Sequence, residues 1–168
     1  MDPLPPDKPI LSFCDAPKLR DVHIARRYAT RIQLPWHQLT KFRPMWIDVE
    51  DCLELLRHAS NLVDAQLRLN STYCYYFDYV ALPNTILLPQ LQSLDLSGPW
   101  RDEEVLPIAL LQYLETPVLK SLTLCFMEER NGVYDISPFL SFVSQPLFQL
   151  QTLTLSSLPT TVDDLSTA

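Results

Sequence analysis

Apolar and polar positions along this chain fall into a recurring phrase: a proline, a short spacer, then Leu-x-x-apolar-x-apolar. It is complete at Pro17 with Leu19, Val22 and Ile24, at Pro89 with Leu91, Leu94 and Leu96, at Pro117 with Leu119, Leu122 and Leu124, and at Pro146 with Leu150, Leu153 and Leu155. Leu62, Ala65, Leu67 and Leu69 repeat it without the proline, and Pro35, Leu39 and Phe42 give a looser copy. Within the third phrase, Leu94 and Leu96 alternate with Ser93, Asp95 and Ser97, the period of a strand with one buried and one solvated face. Leu91 stands three residues before Leu94, so it joins the same core only if the chain bends as the strand begins. Proline fixes φ at about −65° and keeps the preceding residue extended, so no helix runs through it. The phrase therefore predicts a strand starting where a return segment ends. Its recurrence at about 20 to 31 residues predicts one strand plus one return segment as the unit, stacked on copies of itself.

Strands are predicted near 19–24, 39–45, 62–69, 91–96, 119–124 and 150–155. Between them, Val49, Cys52, Leu53, Leu56 and Ala59 follow helical spacing, with Asp48 as N-cap and Glu50, Glu54 and Arg57 on the other side. Leu106, Ala109, Leu110, Tyr113 and Leu114 predict a second helix after Asp102-Glu103-Glu104, an acidic run suited to a helix start. Phe139, Phe142 and Val143 predict a third, capped by Ser137, with Pro138 in the first helical position and Pro146 as the stop. Pro9-Ile-Leu-Ser-Phe13 before Pro17 echoes Pro138-Phe-Leu-Ser-Phe142 before Pro146, which predicts a remnant helix at the start of the chain.

Composition narrows the connections. The chain has 168 residues, 47% of them hydrophobic and 20% charged, enough for one substantial core and outside the disordered range. Against 15 prolines stand 2 glycines, Gly98 and Gly132. That excludes a glycine-rich phosphate loop and a G-x-S-x-G elbow. It also makes tight hairpins rare, because these need glycine or asparagine at positive φ, and so favours parallel strands joined by longer crossovers. The predicted fold is α/β: an irregular leucine-rich-repeat solenoid of about six units, strands on the concave side, short helices and irregular turns on the convex side, forming a single domain over 1–168. One position departs from the usual repeat, L-x-x-L-x-L-x-x-N. Asn70 alone stands where the asparagine belongs; Arg27, Pro99, Met127 and Leu158 occupy the equivalent places.

The segments Leu11-Ser-Phe-Cys-Asp-Ala-Pro-Lys-Leu-Arg20, Leu34-Pro-Trp-His-Gln-Leu-Thr40, Asp51-Cys-Leu-Glu-Leu-Leu-Arg-His-Ala-Ser-Asn-Leu62 and Leu88-Pro-Gln-Leu-Gln-Ser-Leu-Asp-Leu96 carry a family resemblance. In their order they resemble the repeat region of the F-box proteins numerous in mushroom-forming fungi, over most of the chain from Leu11 to Leu155. That resemblance implies a substrate receptor of a cullin-type ubiquitin ligase, in which the F-box docks the adaptor and the repeats hold the target. The F-box itself has no counterpart ahead of Leu11, and Asp163-Asp164-Leu-Ser-Thr-Ala168 reads as the start of another helix, so both ends are expected to be cut. The adaptor is then a partner only of a longer form. Alternatives are a repeat scaffold unrelated to ubiquitin, a truncated gene product without retained function, and, in a different class, a small hydrolase or metal enzyme whose residues meet only in three dimensions.

Charge and chemistry define the remaining expectations. A net charge of −7 disfavours nucleic-acid backbones, which are held by clustered Lys and Arg; the basic cluster Arg20, Arg26, Arg27 and Arg31 reads as a solvated connector. Cys14, Cys52, Cys74 and Cys125 are widely spaced with no C-x-x-C pair, as expected of reduced, mostly buried thiols in an intracellular protein, cytoplasmic or nuclear. No apolar stretch reaches membrane-span length. His23, His37 and His58 lack the close spacing of a zinc site, so no catalytic residue, metal or cofactor is expected. The candidate partner-binding residues are the outward strand positions: Asp21 and His23; Asp64, Gln66 and Arg68; Ser93 and Asp95; Ser121 and Thr123; Thr152 and Thr154. A candidate aromatic patch is Tyr73, Tyr75, Tyr76, Phe77 and Tyr79, a composition found both at interface hot spots and in small cores.

Overall fold

The computed structural model describes residues 10, 11, 13–25, 31–70, 85–100, 107–128, 137–145 and 149–156. In chain order these hold β1 (Asp21–Ala25), a 3-10 turn at Trp36–Gln38, β2 (Lys41–Ile47), α1 (Val49–His58), β3 (Asp64–Leu69), β4 (Ile86–Leu87), β5 (Ser93–Trp100), a 3-10 helix at Pro107–Tyr113, β6 (Leu114–Glu115), β7 (Ser121–Glu128), α2 (Ser137–Val143) and β8 (Thr152–Ser156). A six-stranded sheet runs in the order β1-β2-β3-β5-β7-β8, and every neighbouring pair is parallel. Each predicted strand is present within a few residues of its expected position, and parallel pairing follows as the scarcity of glycine implied.

The register stacks equivalent residues of successive phrases. Val22, Phe42, Ala65, Leu94, Leu122 and Leu153 form one row, and Leu67, Leu96, Leu124 and Leu155 continue a second. From β2 to β7 these side chains are fully buried. On β8, the last strand of the sheet, Leu153 is 44% exposed. The core therefore thins at that edge.

The lead-in to β1, β2, β3, β5 and β7 is a four-residue turn closed by a main-chain hydrogen bond. The N–H of Leu19, Leu39, Leu62, Leu91 and Leu119 donates to the carbonyl three residues earlier, on Ala16, Trp36, Ala59, Leu88 and Thr116. Pro17, Pro89 and Pro117 occupy the second position of such turns, where a φ of about −65° is already correct. The bend demanded by Leu91 is thus a β-turn that swings the first leucine of the phrase inward beside the strand leucines.

A second main-chain device joins neighbouring units. The carbonyl of Arg20 accepts from both Thr40 and Lys41, that of Thr40 from Val63 and Asp64, that of Val63 from Gln92 and Ser93, that of Gln92 from Lys120 and Ser121, and that of Lys120 from Gln151 and Thr152. β2, β3, β5, β7 and β8 are each gripped in this way just before the ladder begins. Side-chain amides reinforce the turns: Gln38 donates to the Ala16 carbonyl and Asn61 to that of His37.

The return segments form the other wall of the core. Val49, Cys52, Leu53, Leu55 and Leu56 of α1, Ile108, Leu110 and Leu111 of the 3-10 helix, and Phe139 and Phe142 of α2 join the strand leucines in one continuous buried cluster. Helix α1 starts at Asp48 as expected, but the Asp48 side chain does not cap it. Instead, its carboxylate accepts from the Asn70 amide at 3.3 Å, so the one repeat-type asparagine tethers the end of β3 to the start of the previous unit's helix.

Two expectations are corrected. The segment 107–113 is a 3-10 helix and Leu114 leaves it to pair with Ile86 in the short parallel β4–β6 sheet, because β-type bonds between adjacent return segments replace the last helical turn. Of the helix expected near Pro9–Phe13, the described residues 10, 11 and 13 are not helical: Ile10 makes a parallel bridge to Ile32, its N–H donating to Arg31 and its carbonyl accepting from Gln33.

Leu94, 1% exposed at the centre of its row, and Leu153 at the edge give a matched test of the stacked core. Leu94→Ala is expected to lower unfolding stability by about 2 to 5 kcal/mol in urea titration, and Leu94→Asp to prevent folding by burying an unpaired carboxylate. Leu153→Ala is expected to cost less than about 1 kcal/mol, as for other exposed positions. Equal losses at the two sites would contradict the packing gradient.

Candidate binding face

Parallel, in-register pairing also stacks the polar residues on the opposite face. The first row runs Asp21, Lys41, Asp64, Ser93, Ser121, Thr152. His23 pairs with Arg43 on β1 and β2, and Gln66, Asp95, Thr123 and Thr154 continue that level across the later strands. The third row runs Ala25, Met45, Arg68, Ser97, Cys125, Ser156. Every outward strand residue expected from the sequence therefore lies on one surface. Tyr73, Tyr75, Tyr76, Phe77 and Tyr79 lie outside the described residues.

The face has two chemically different halves. From β1 to β5 it carries Asp21, Lys41, Arg43, Asp64, Arg68 and Asp95, acids and bases interleaved. From β5 onward it is hydroxyls and one thiol: Ser93, Ser97, Ser121, Thr123, Cys125, Thr152, Thr154 and Ser156. Arg43, missed by the sequence reading because its phrase is the loosest, sits between two carboxylates, 3.8 Å from Asp21 and 3.7 Å from Asp64. Its Nε and the Asp64 Oδ1 are buried without hydrogen-bond partners, so this contact is electrostatic rather than bidentate. Asp95, half-buried, has its carboxyl pushed up mainly by burial; the Arg68 guanidinium opposes that and Asp64 adds to it. On its other side Asp95 pairs with the neutral Thr123.

A single bulge interrupts the pattern. Register shifts between Met45 and Ile47 on β2, and Trp46 there has φ 63° and is 38% exposed. Pro44, which has no N–H to donate, stands just ahead of the irregularity; a proline inside a strand is the signal by which the sequence shows it.

The residues considered for chemistry separate. Cys52 is fully buried on the inner side of α1, its thiol pushed up by burial and further by the Asp51 charge, whereas His58 is exposed at the helix end against Glu54 at 3.5 Å. His23 is exposed on the sheet face. His37 lines an open depression of about 320 Å³ with Cys14 and Asp15. No hydrogen bond joins these three side chains, and among the described residues no group of three or more His, Cys, Asp or Glu is placed to hold a metal ion. Among the described thiols only Cys52 is buried: Cys14 is exposed and Cys125 partly so, because Cys14 lies in a turn and Cys125 on the outward side of β7; Cys74 lies outside the described residues. Arg20 of the basic cluster turns back onto the carbonyls of Pro17 and Leu19, while Arg26 and Arg27 lie outside the described residues. No helix among the described residues is long and apolar enough to cross a membrane.

The fold and face thus define an α/β protein built on a parallel six-stranded sheet with one polar, open surface. Compared with protein-family models, curated proteins and solved structures, the chain matches none.

Two outcomes follow from these environments. Because the folded-state pKa of Asp95 is raised, its charge opposes folding above that pKa, and the penalty disappears as pH falls towards the ordinary value of 3.8. Asp95→Asn is therefore expected to melt higher than the parent at pH 7, the difference closing as the pH approaches 4, read by thermal denaturation across that range. In native protein at neutral pH, a thiol reagent such as dithiobis-nitrobenzoate is expected to label Cys14 promptly and Cys52 only after denaturant is added, as peptide mapping would show.

Proposed function

We propose that this chain is a leucine-rich-repeat solenoid that binds a protein through the polar face of its parallel sheet and has no catalytic activity of its own. The observation that carries this reading is the face itself: row upon row of short polar and charged side chains, fixed in register by an apolar spine that is fully buried from β2 to β7, open along the sheet. Surfaces of this kind hold extended partners by many small contacts, with charge arrangement setting the choice of partner. Together with the resemblance to fungal F-box proteins, it supports a role as the target-holding portion of a ubiquitin-ligase receptor. Under that role the adaptor is engaged only by a form of the protein that carries an F-box.

The test is comparative affinity purification from the source organism. A tagged chain is compared with a face variant, Gln66→Lys with Thr123→Arg, and with a control on the return layer, the exposed Gln112→Lys. Proteins retained by the parent and the control, and lost from a face variant with an unchanged melting temperature, are expected. A set of captured proteins identical for all three would sink the assignment of the face. Recovery of the ligase adaptor by these 168 residues alone would contradict the division of labour between F-box and repeats.

A further inference from the structure

We infer that Trp46, with Met45 and Arg68 beside it, is the anchor of the binding face and receives an apolar side chain next to a carboxylate on an acidic segment of a partner protein; this rests on the protein-binding reading above. Phe42 and Pro44 point into the core, so strict alternation would bury the residue at 46. The bulge prevents this. Ile47 takes the inward place, 4% exposed and paired with Leu69, and Trp46 becomes the extra residue held out at the surface. A backbone φ of 63° is unfavourable for a bulky aromatic, and glycine would accept it freely. The chain thus sustains local strain while exposing a residue whose burial would otherwise stabilise it.

Position distinguishes Trp46 from the other large exposed apolar side chains described. Leu11, Phe13 and Val118 lie outside the strands, Leu153 on the edge strand and Leu87 on the two-residue β4, whereas Trp46 stands in an interior strand of the main sheet. Its neighbours supply the charge argument. In the third row of the face, Ala25 and Met45 are apolar, Ser97, Cys125 and Ser156 are small and neutral, and Arg68 is the charged member. Arg68 is exposed and, although its charge acts on Asp95, it has no carboxylate within 4.0 Å among the described residues, in contrast to Arg43 one step away. A tryptophan and an outward-facing guanidinium together favour a partner segment pairing an apolar group with an acid. A net charge of −7 favours a short acidic segment over a polyanion.

The experiment selects a phage-displayed library of random peptides on the intact chain, with counter-selection on Trp46→Gly, followed by titration of synthetic copies of the enriched peptides. Enriched peptides are expected to place an aromatic or aliphatic residue beside Asp or Glu. They are expected to bind at least about ten-fold more weakly to Trp46→Gly and to Arg68→Gln. Trp46→Gly is expected to melt no lower than the parent, since glycine relieves the positive φ; Trp46→Asn, which also tolerates that region, replaces it should the glycine variant fold poorly. Peptides weakened by Thr123→Arg but indifferent to Trp46→Gly would overturn the anchor while leaving the face intact. Peptides indifferent to all three substitutions would overturn the face as well. Absence of any peptide that distinguishes the parent from Trp46→Gly, or binding of a single-stranded oligonucleotide at these residues in place of peptide, would also overturn the anchor.

Discussion

Everything in this molecule depends on register between successive strands. A carbonyl placed just before each strand, on Arg20, Thr40, Val63, Gln92 and Lys120, accepts two N–H groups from the next unit. That grip fixes which residues face each other before the ladder starts. Side chains alternate along a strand, so a slip of one residue would turn every leucine outward and every polar residue inward. The buried rows and the polar rows are therefore one consequence of a single main-chain constraint. The β-turns ahead of the strands act on the same coordinate, since they set both the direction of the chain and the inward placement of Leu39, Leu62, Leu91 and Leu119.

Much of this was legible in the sequence because the spine is made of residues whose burial and backbone requirements agree. Leu91, Leu94 and Leu96 carry a period-2 signal, and Pro89 carries the turn; neither needs a distant contact to be interpreted. What the sequence hid depends on neighbours distant in the chain. The pairing of β4 with β6 joins Ile86 to Leu114, and nothing local distinguishes two such residues from the ends of ordinary return segments. Ile10 likewise leaves a helix-like motif to bridge Ile32. On the candidate face, the outward positions were legible from alternation alone, but Arg43 and Trp46 were not. Their phrase lacks the regular leucines, and the bulge after Pro44 breaks the period on which the reading relied.

Charge on the face does little for stability. Arg43 lies 3.7 and 3.8 Å from its two carboxylates, distances at which partly exposed pairs contribute about 0 to 1 kcal/mol. Asp95 works against folding at neutral pH, because burial and Asp64 together outweigh the help of Arg68. A sheet selected for stability alone would carry Thr or Ser at that level, as β7 and β8 do with Thr123 and Thr154. The charged half of the face thus departs from the most stable solution while the hydroxyl half does not. Such local departures from stability are concentrated where a surface has a second task.

The bulge at Trp46 fits the same logic on the level of the backbone. A one-residue insertion displaces the register between Met45 and Ile47, yet the inward row recovers at once through Ile47 and Leu69. The core consequently loses nothing that a regular strand would have gained from Ile47. The whole consequence of the insertion is outward: a strained residue and an exposed tryptophan next to the Met45–Arg68 pair. A glycine at that position would satisfy the fold equally well, because φ 63° needs no Cβ and the neighbouring rows are already closed. The side chain at 46 is therefore unconstrained by packing in the core, and the exposure of the largest apolar residue at the position least suited to it is the ground for the anchor proposed on this face.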